Sequence, residues 1–202
     1  MIDFVWVGGD LMAKKKTKKN EIKVPQSDLK LLVFSALFAA LTAAIAPFKI
    51  PLGFTPVPIT LQTLAVLLSG AILGPYYGAL AMILYVVVGA LGLPVFAGGG
   101  SGIGAILGPT GGYLISYFIA AFAVGKIVQM RKEPKYIDYA VAMVAGTIII
   151  YLLGASWGMV VTGLGVTQII IGWVLPFIIG DTIKLLIAAY IAKTVKIKQY
   201  LR

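Results

Sequence analysis

Long apolar stretches alternate with short polar or glycine-rich ones along almost the whole chain. Their lengths suit transmembrane helices, whereas strands of a membrane barrel would show segments of about ten residues with alternating polarity. The pattern therefore predicts an all-α polytopic membrane protein with six transmembrane helices. The six stretches are Leu29 to Pro47, Leu61 to Leu73, Pro75 to Leu93, Tyr113 to Val128, Tyr139 to Leu153 and Val174 to Ile191. The second and the fifth are short, so a re-entrant segment is the alternative there.

Proline and glycine mark the connections between these stretches. The segment 48–60 reads FKIPLGFTPVPIT, and its three prolines exclude a continuous helix, so we predict a loop that closes over a pocket. Gly74 and Pro75 predict a tight turn between closely packed helices. Nine glycines in 90–113 allow the backbone to approach a ligand. The glycine-rich run after Leu153 predicts a third loop, with Trp157 and Trp173 as interfacial anchors.

The composition narrows the class of protein and excludes several kinds of chemistry. The chain is 60% hydrophobic and 12% charged, with a mean hydropathy of +0.99, whereas soluble domains are about 25% charged. The sequence contains no Cys and no His, which excludes a thiol nucleophile, a Ser-His-Asp triad and the usual zinc and haem sites. It also lacks a Walker A motif. We therefore expect no catalytic residue, no metal, no cofactor and no ATPase in this chain.

The distribution of basic residues predicts the topology. Fifteen of the 17 Lys and Arg residues lie in three clusters, in the amino-terminal arm, at 126–135 and in the carboxyl-terminal tail. Cytoplasmic loops carry an excess of Lys and Arg, so an even number of helices must separate successive clusters. Six helices, with both termini cytoplasmic, meet this condition. The formal net charge of +10 then reflects contact with anionic lipid in the bilayer, and not nucleic acid.

The chain divides into a basic arm and one membrane domain. We predict that residues 1–26 are a disordered arm and that 27–202 form a single six-helix domain. Met12 heads a basic stretch and is an alternative start, so residues 1–11 are open to being non-native.

Two charges interrupt the last apolar stretch. Asp181 and Lys184 are the only charged residues between Val174 and Ile191, and at i and i+3 they share one face of a helix. Charges at membrane depth are rare and usually mark a substrate or ion pathway. The alternative is an internal ion pair that only joins two helices. If the pair lies under the loops, it predicts a site for a small, mostly apolar ligand that both donates and accepts hydrogen bonds.

Small residues form a smooth face on the first predicted helix. Ala36, Ala40 and Ala44 are four residues apart. In lipid, such a face allows close approach of another helix, either within the same bundle or from a partner protein.

Four motifs, in order along the chain, resemble those of the BioY family. They are PVPITLQ at 56–62, GLPVFAGG at 92–99, GPTGGY at 108–113 and GDxxK at 180–184, within a resemblance that covers about residues 28–195. Members of this family are the biotin-binding S components of energy-coupling factor transporters. The resemblance implies a high-affinity subunit in the plasma membrane of a prokaryote that captures biotin outside. A transmembrane coupling subunit and two cytoplasmic ATPases would drive its delivery inward.

The resemblance also implies roles for individual residues. Partner docking is expected on Ala36, Ala40 and Ala44, and gating of the pocket by Pro56, Val57, Pro58 and Thr60. The expected substrate-binding residues are Gln62, Tyr85, Phe96, Gly98, Gly99, Ser101, Asp181 and Lys184. A solitary carrier of biotin or another small molecule, working without ATPases, is the alternative. An enzyme that uses Asp181 as acid or base would need a second catalytic group, which the sequence does not offer.

Overall fold

The protein consists mostly of helices. The computed structural model describes residues 3–7, 10–14 and 25–195, and in the first two ranges only the backbone. The elements, in order, are β1 (Asp3–Val7), β2 (Asp10–Lys14), α1 (Gln26–Ile45), β3 (Lys49–Ile50), β4 (Ile59–Thr60), α2 (Gln62–Ala90), a 3₁₀ turn (Ala97–Gly99), α3 (Ile103–Leu107), α4 (Gly111–Gln129), α5 (Tyr136–Thr162), α6 (Val166–Ile169), a π-helical turn (Ile170–Val174) and α7 (Leu175–Thr194). Two antiparallel pairs, β1 with β2 and β3 with β4, add short strands to the predicted all-α fold.

Both ends of the chain extend beyond the described residues. The predicted disorder of 1–26 falls largely on residues outside the described ranges, apart from the backbone of β1 and β2, and it stays a prediction. The basic tail from residue 196 onwards also lies outside the described part of the chain.

Five helices in the described part are long and apolar enough to cross a membrane. They are Gln26–Ile45, Gln62–Ala90, Gly111–Gln129, Tyr136–Thr162 and the continuous stretch Val166–Thr194. The predicted membrane protein with several spanning helices is therefore confirmed.

Helix α2 reverses its direction at Gly74. The φ angle there is 81°, which only glycine adopts readily, and Pro75 starts the second half of the helix. The Tyr85 hydroxyl lies 3.0 Å from Gln62 Oε1, although 23 residues of straight helix would separate them by roughly 34 Å. The halves 62–73 and 75–90 thus form an antiparallel hairpin, and the tight turn predicted at Gly74 and Pro75 is confirmed.

Glycines let the hairpin and α4 pack at backbone distance. A Cβ on Gly78 would lie 2.7 Å from the Cα of Gly70 and 2.8 Å from the carbonyl oxygen of Ser69. A Cβ on Gly125 of α4 would collide with the backbone of the Gly74 turn. Since real Cβ atoms do not approach this closely, the glycine spacing in this region serves close helix packing.

Helix α5 is longer than the sequence pattern predicted. It continues past Leu153 to Thr162, so the prediction of a loop after Leu153 was wrong. Its glycines are packing positions: a Cβ on Gly154 would meet the Tyr113 ring, and one on Gly158 would meet the Trp173 ring. Trp173 is itself buried, so the prediction that it is an interfacial anchor was also wrong. These two buried glycines therefore make room for aromatic rings and do not end the helix.

A proline explains the irregular turn before α7. Pro176 has no N–H group and its ring would clash with the carbonyl group four residues earlier in a regular helix. The chain forms the π-helical turn Ile170–Val174 just before it, as is common where a helical ladder is interrupted. The Tyr113 hydroxyl donates to the carbonyl oxygen of Trp173 at 2.8 Å, which ties this turn to α4.

The helices surround two apolar clusters. One cluster includes Tyr85, Phe96, Tyr117 and Phe177 and lies at the end of the bundle where the connections 46–61, 91–110 and 163–165 meet. A cavity opens among these connections, and we call this end of the bundle the cavity end. The other cluster contains residues such as Val124 and lies towards the opposite end. Helix α1 packs along α2 at the edge of the bundle, and most of its surface is exposed.

Candidate functional site

A cavity opens at the cavity end of the bundle. The space inside it is about 760 Å³ when its open mouth is included. Its walls come from the connections and from every long helix except α1. The lining residues are Val57, Pro58, Thr60, Gln62, Thr63, Phe96, Ala97, Gly100, Ala105, Thr110, Tyr113, Leu114, Tyr117, Ile150, Tyr151, Phe177, Asp181 and Lys184.

The two charges of α7 lie together in this cavity. Lys184 Nζ is 2.5 Å from Asp181 Oδ1, and the side chains are 12% and 7% exposed, respectively. The spacing of three residues places both on the same helix face, as the sequence predicted. The cavity therefore contains an ion pair whose formal charges cancel.

The neighbours of Asp181 come from two other helices. Tyr151 of α5 donates to Oδ2 at 2.6 Å, and Thr63 of α2 donates to Oδ1 at 3.2 Å. A buried carboxylate that accepts several hydrogen bonds is far better stabilised than one in a single ion pair. Asp181 thus joins α2, α5 and α7 at one point in the cavity wall.

Lys184 also connects the pair to the loop above it. Its Nζ donates to the carbonyl oxygen of Thr60 at 2.8 Å and to Thr63 Oγ1 at 3.2 Å, in addition to Asp181. An ammonium group has three donors, so these three partners use all of them. A ligand that accepts a hydrogen bond from Lys184 must replace one of these contacts.

Gln62 lines the cavity beside the pair and is held from behind by Tyr85. The Tyr85 hydroxyl donates to Gln62 Oε1 at 3.0 Å and lies equally close to the carbonyl oxygen of Val95. Tyr85 is fully buried and does not line the cavity itself. Its place in the fold is therefore that of a support for Gln62.

The glycine-rich connection contributes only part of its predicted residues to the cavity. Phe96 lines the cavity and is buried, with its ring edge-on to that of Tyr85 at a centroid distance of 5.6 Å. Gly98, Gly99 and Ser101 do not line it, and the side of the turn that carries Gly98 and Ser101 is exposed. The 3₁₀ turn thus presents one side to the cavity and the other to the outside.

The proline-rich segment lies over the cavity as a lid, which we define as residues 48–60. Val57, Pro58 and Thr60 line the cavity, whereas Pro56 is exposed on the outer surface of the segment. The strands β3 and β4 pair Lys49 with Thr60 and hold the two ends of the lid together. Because Lys184 binds the Thr60 carbonyl group, the lid is tied directly to the charged pair.

Much of the cavity wall was not among the residues singled out from the sequence. Tyr113, Tyr117, Tyr151 and Phe177 give it an aromatic lining. In the sequence, each of these reads as an ordinary core aromatic of a membrane helix. The one signal that could have found Tyr151 is a hydroxyl group placed in the middle of an apolar helix, where it needs a partner. Thr63 carried the same signal in a weaker form.

The alanine face of α1 points away from the bundle. Ala36, Ala40 and Ala44 are exposed, whereas Ser35 and Ala39 pack inwards. The close packing of α1 within the described bundle therefore uses a different face of the helix. The stripe itself is exposed.

The arrangement favours an uncharged, planar polar group enclosed by aromatic rings. Asp181 can accept from an N–H group, and Lys184 can donate to a carbonyl oxygen. The cancelled charge of the pair gives no net attraction for an ion. The rest of the lining is mostly apolar or aromatic, with the uncharged polar residues Thr60, Gln62, Thr63 and Thr110 among it. Within the described residues, no group of three or more His, Cys, Asp or Glu side chains is placed to hold a metal ion.

Comparison with known proteins gives consistent matches. The model of the BioY family matches residues 15–200. A probable biotin transporter BioY of Pyrococcus horikoshii is 42% identical over 158 residues, which cover 78% of this chain and 91% of that protein. The biotin transporter BioY of Thermotoga maritima is 41% identical over 168 residues, covering 83% and 96%.

A solved structure has the same fold. It is the crystal structure of the S-component for biotin from an ECF-type ABC transporter, with a TM-score of 0.79 and 29% sequence identity. The match covers 89% of this chain and all of that one.

Proposed function

The chain belongs to the BioY family, and from this membership we propose that it is a high-affinity biotin-binding S component that works in a vitamin uptake transporter. The observation that carries the proposal is the compensated Asp181–Lys184 pair at the base of an aromatic cavity. Biotin carries a cyclic urea, whose N–H groups and carbonyl oxygen match a carboxylate and an ammonium side by side. An apolar cavity with a few convergent polar groups is the usual form of such a site.

In the proposed complex, the ureido group lies at the charged pair. Asp181 accepts from a ureido N–H group, Lys184 donates to the ureido oxygen, and Gln62 adds a further polar contact. Phe96, Tyr113 and Tyr117 enclose the apolar rings of the ligand. Tyr85 and the glycines of the 3₁₀ turn act by holding Gln62 and Phe96 in position.

The lid would gate entry to this site. Lys184 donates to the Thr60 carbonyl oxygen, and a ureido oxygen would compete for the same ammonium group. Ligand binding therefore exchanges a contact of the lid for a contact of the ligand. Val57 and Pro58 then form the apolar roof of the closed site.

We propose six membrane crossings with both termini in the cytoplasm of a prokaryote. The reversal of α2 at Gly74 supports this count, because its two halves run in opposite directions. The first half is short for a span, and the Gly74 turn packs directly against α4. The positively charged connection 130–135 then lies on the same side as both termini.

Transport would depend on partner proteins. We propose a transmembrane coupling subunit, docked on Ala36, Ala40 and Ala44, and two cytoplasmic ATPases. An Ala40→Trp variant should lose co-purification with the coupling subunit and keep biotin binding. Leu41→Trp, which is exposed and lies about 100° around α1 from Ala40, is the matched control. Assembly that survives in Ala40→Trp would show that the docking surface lies elsewhere.

Calorimetric titration of the purified chain with biotin tests the proposed function. We expect tight binding, lost in Asp181→Asn, with no comparable binding of thiamine or riboflavin. No binding by a folded wild-type sample would refute the proposal. Uptake of biotin into vesicles that contain this chain alone would instead indicate a solitary carrier that needs no ATPase.

A further inference from the structure

The charged pair leaves the acidic end of an elongated ligand without a counter-ion. Asp181 and Lys184 neutralise each other, so the pair carries no net charge. All three N–H donors of Lys184 are also used, by Asp181, Thr60 and Thr63. A carboxylate placed beside Asp181 would be repelled by it. If the uncharged end of a ligand occupies the pair, its carboxylate must find a cation elsewhere in the site.

Lys49 is an exposed residue at the base of the lid and does not itself line the cavity. It is the strand partner of Thr60, and residues directly opposite each other in an antiparallel pair project on the same face. Thr60 lines the cavity. Thr60 also provides the carbonyl oxygen that Lys184 binds, so Lys49 lies one strand away from the charged pair.

The end of the Lys49 side chain lies over the exposed side of the 3₁₀ turn, whose other side lines the cavity. Its Cδ, Cε and Nζ atoms lie against Gly98, where any Cβ would collide with them. Gly98 also has a φ of 69°, so a side chain is disfavoured there for two reasons. The neighbouring Ala97 and Gly100 line the cavity. The ammonium group thus lies on the turn that forms the rim of the cavity.

Lys49 is also an uncompensated charge. It makes no ion pair or hydrogen bond with the described residues. Of the acidic residues whose side chains are described, Asp28 lies at the start of α1, and Glu133 and Asp138 lie near the connection between α4 and α5, all at the opposite end from the cavity. Asp181 is already paired. An exposed cation at the rim of a site, with no acidic neighbour among the described side chains, favours an anionic ligand group.

We infer that Lys49 binds the carboxylate of the ligand whose uncharged polar end lies at Asp181 and Lys184. The inference rests on the proposed function, in which this ligand is biotin, with its valerate carboxylate at the cavity mouth. It gives the site two chemically different ends. One end recognises the ureido ring through a neutral pair, and the other recognises negative charge through a cation carried by the lid.

Calorimetry with biotin and with biotin amide tests this assignment, since the amide lacks only the negative charge. The wild-type chain should bind biotin roughly tenfold or more tightly than the amide, as expected for a charge-assisted hydrogen bond. Lys49→Gln should bind both ligands equally, at the wild-type affinity for the amide. Lys49→Arg should keep the preference for biotin. Lys132→Gln, an exposed lysine in the connection between α4 and α5, is the control for general charge effects.

Two kinds of result separate this inference from the proposed function. If the wild-type chain binds biotin tightly but shows no preference over the amide, or if Lys49→Gln keeps that preference or weakens both ligands equally, Lys49 does not bind the carboxylate. If the wild-type chain binds neither ligand, the proposed function is refuted and the assignment of Lys49 is refuted with it.

Discussion

Two carboxylate–cation pairs in the described part of the chain have completely different surroundings. Asp181 and Lys184 are 2.5 Å apart and buried in the cavity, with hydrogen bonds to three other segments. Arg131 Nε and Asp138 Oδ1 are 3.7 Å apart, with an arginine side chain that is 72% exposed. The exposed pair lies at the start of α5, where Asp138 also accepts from the backbone N–H of Lys135 at 2.8 Å.

The comparison shows that position decides what an ion pair does. An exposed pair is screened by water and contributes about 0–1 kcal/mol. A buried pair contributes little net stability, yet removing one partner costs about 3–5 kcal/mol because a charge is left without compensation. The buried pair is therefore demanding to maintain, which favours a role in the site over a role in stability alone.

Removal of the buried cation should have the largest effect. Lys184→Met leaves Asp181 charged in an apolar wall, so we expect the free energy of unfolding to fall by about 3–5 kcal/mol. Biotin affinity should fall roughly a hundredfold or more, because the ligand loses its donor and faces an unpaired carboxylate. Unfolding in a denaturing detergent and calorimetry measure the two effects. Lys193→Met, near the end of the same helix, is the control and should change neither.

Removal of both charges should separate stability from binding. Asp181→Asn combined with Lys184→Met leaves no buried charge, so most of the stability lost in Lys184→Met should return. Biotin binding should remain lost, since both ligand-recognising groups are gone. The same two measurements apply. Recovery of wild-type biotin affinity in the double variant would mean that the pair only joins the helices.

Removal of one neighbour of the pair should have a moderate effect. Tyr151→Phe deletes the hydrogen bond to Asp181 Oδ2, which corresponds to about 1–2 kcal/mol and thus roughly a tenfold loss of biotin affinity. Tyr139→Phe, on the same helix, deletes a hydroxyl group that makes no hydrogen bond to the described residues. Calorimetry on both variants gives the comparison. Equal losses in the two would assign the effect to α5 as a whole.

Disruption of the exposed pair should have the smallest effect. Arg131→Ala should change the free energy of unfolding by less than about 0.5 kcal/mol and leave biotin affinity unchanged. Its carboxylate partner keeps the backbone contact at the start of α5. A loss as large as that in Lys184→Met would contradict the contrast between the two pairs.

The sequence predicted the centre of the site better than its walls. Asp181 and Lys184 stand out because charges are rare in an apolar stretch, and their spacing alone places them on one helix face. Tyr151 and Phe177 carry no such signal, since aromatic residues are common in apolar helices. Only the packing of α5 against α7 brings the Tyr151 hydroxyl to the carboxylate of Asp181.

The glycines include one position where prediction from the sequence succeeded and two where it failed. The turn at Gly74 was predicted correctly, because glycine followed by proline is a local signal that needs no tertiary contact. Gly154 and Gly158 were read as loop residues, although they lie in a continuous helix against the rings of Tyr113 and Trp173. A glycine that makes room for a distant ring cannot be distinguished in sequence from one that ends a helix.

The sequence by itself determined what depends on neighbours along the chain: the apolar helices, the lid with its prolines, and the charged pair one helical turn apart. The tertiary structure decided what depends on segments distant in sequence. It placed Thr63 and Tyr151 on Asp181, tied the lid to Lys184, and laid Lys49 across Gly98. The physical reason is that periodicity and backbone preference act over a few residues, whereas a cavity wall is formed by side chains from helices that meet only after folding.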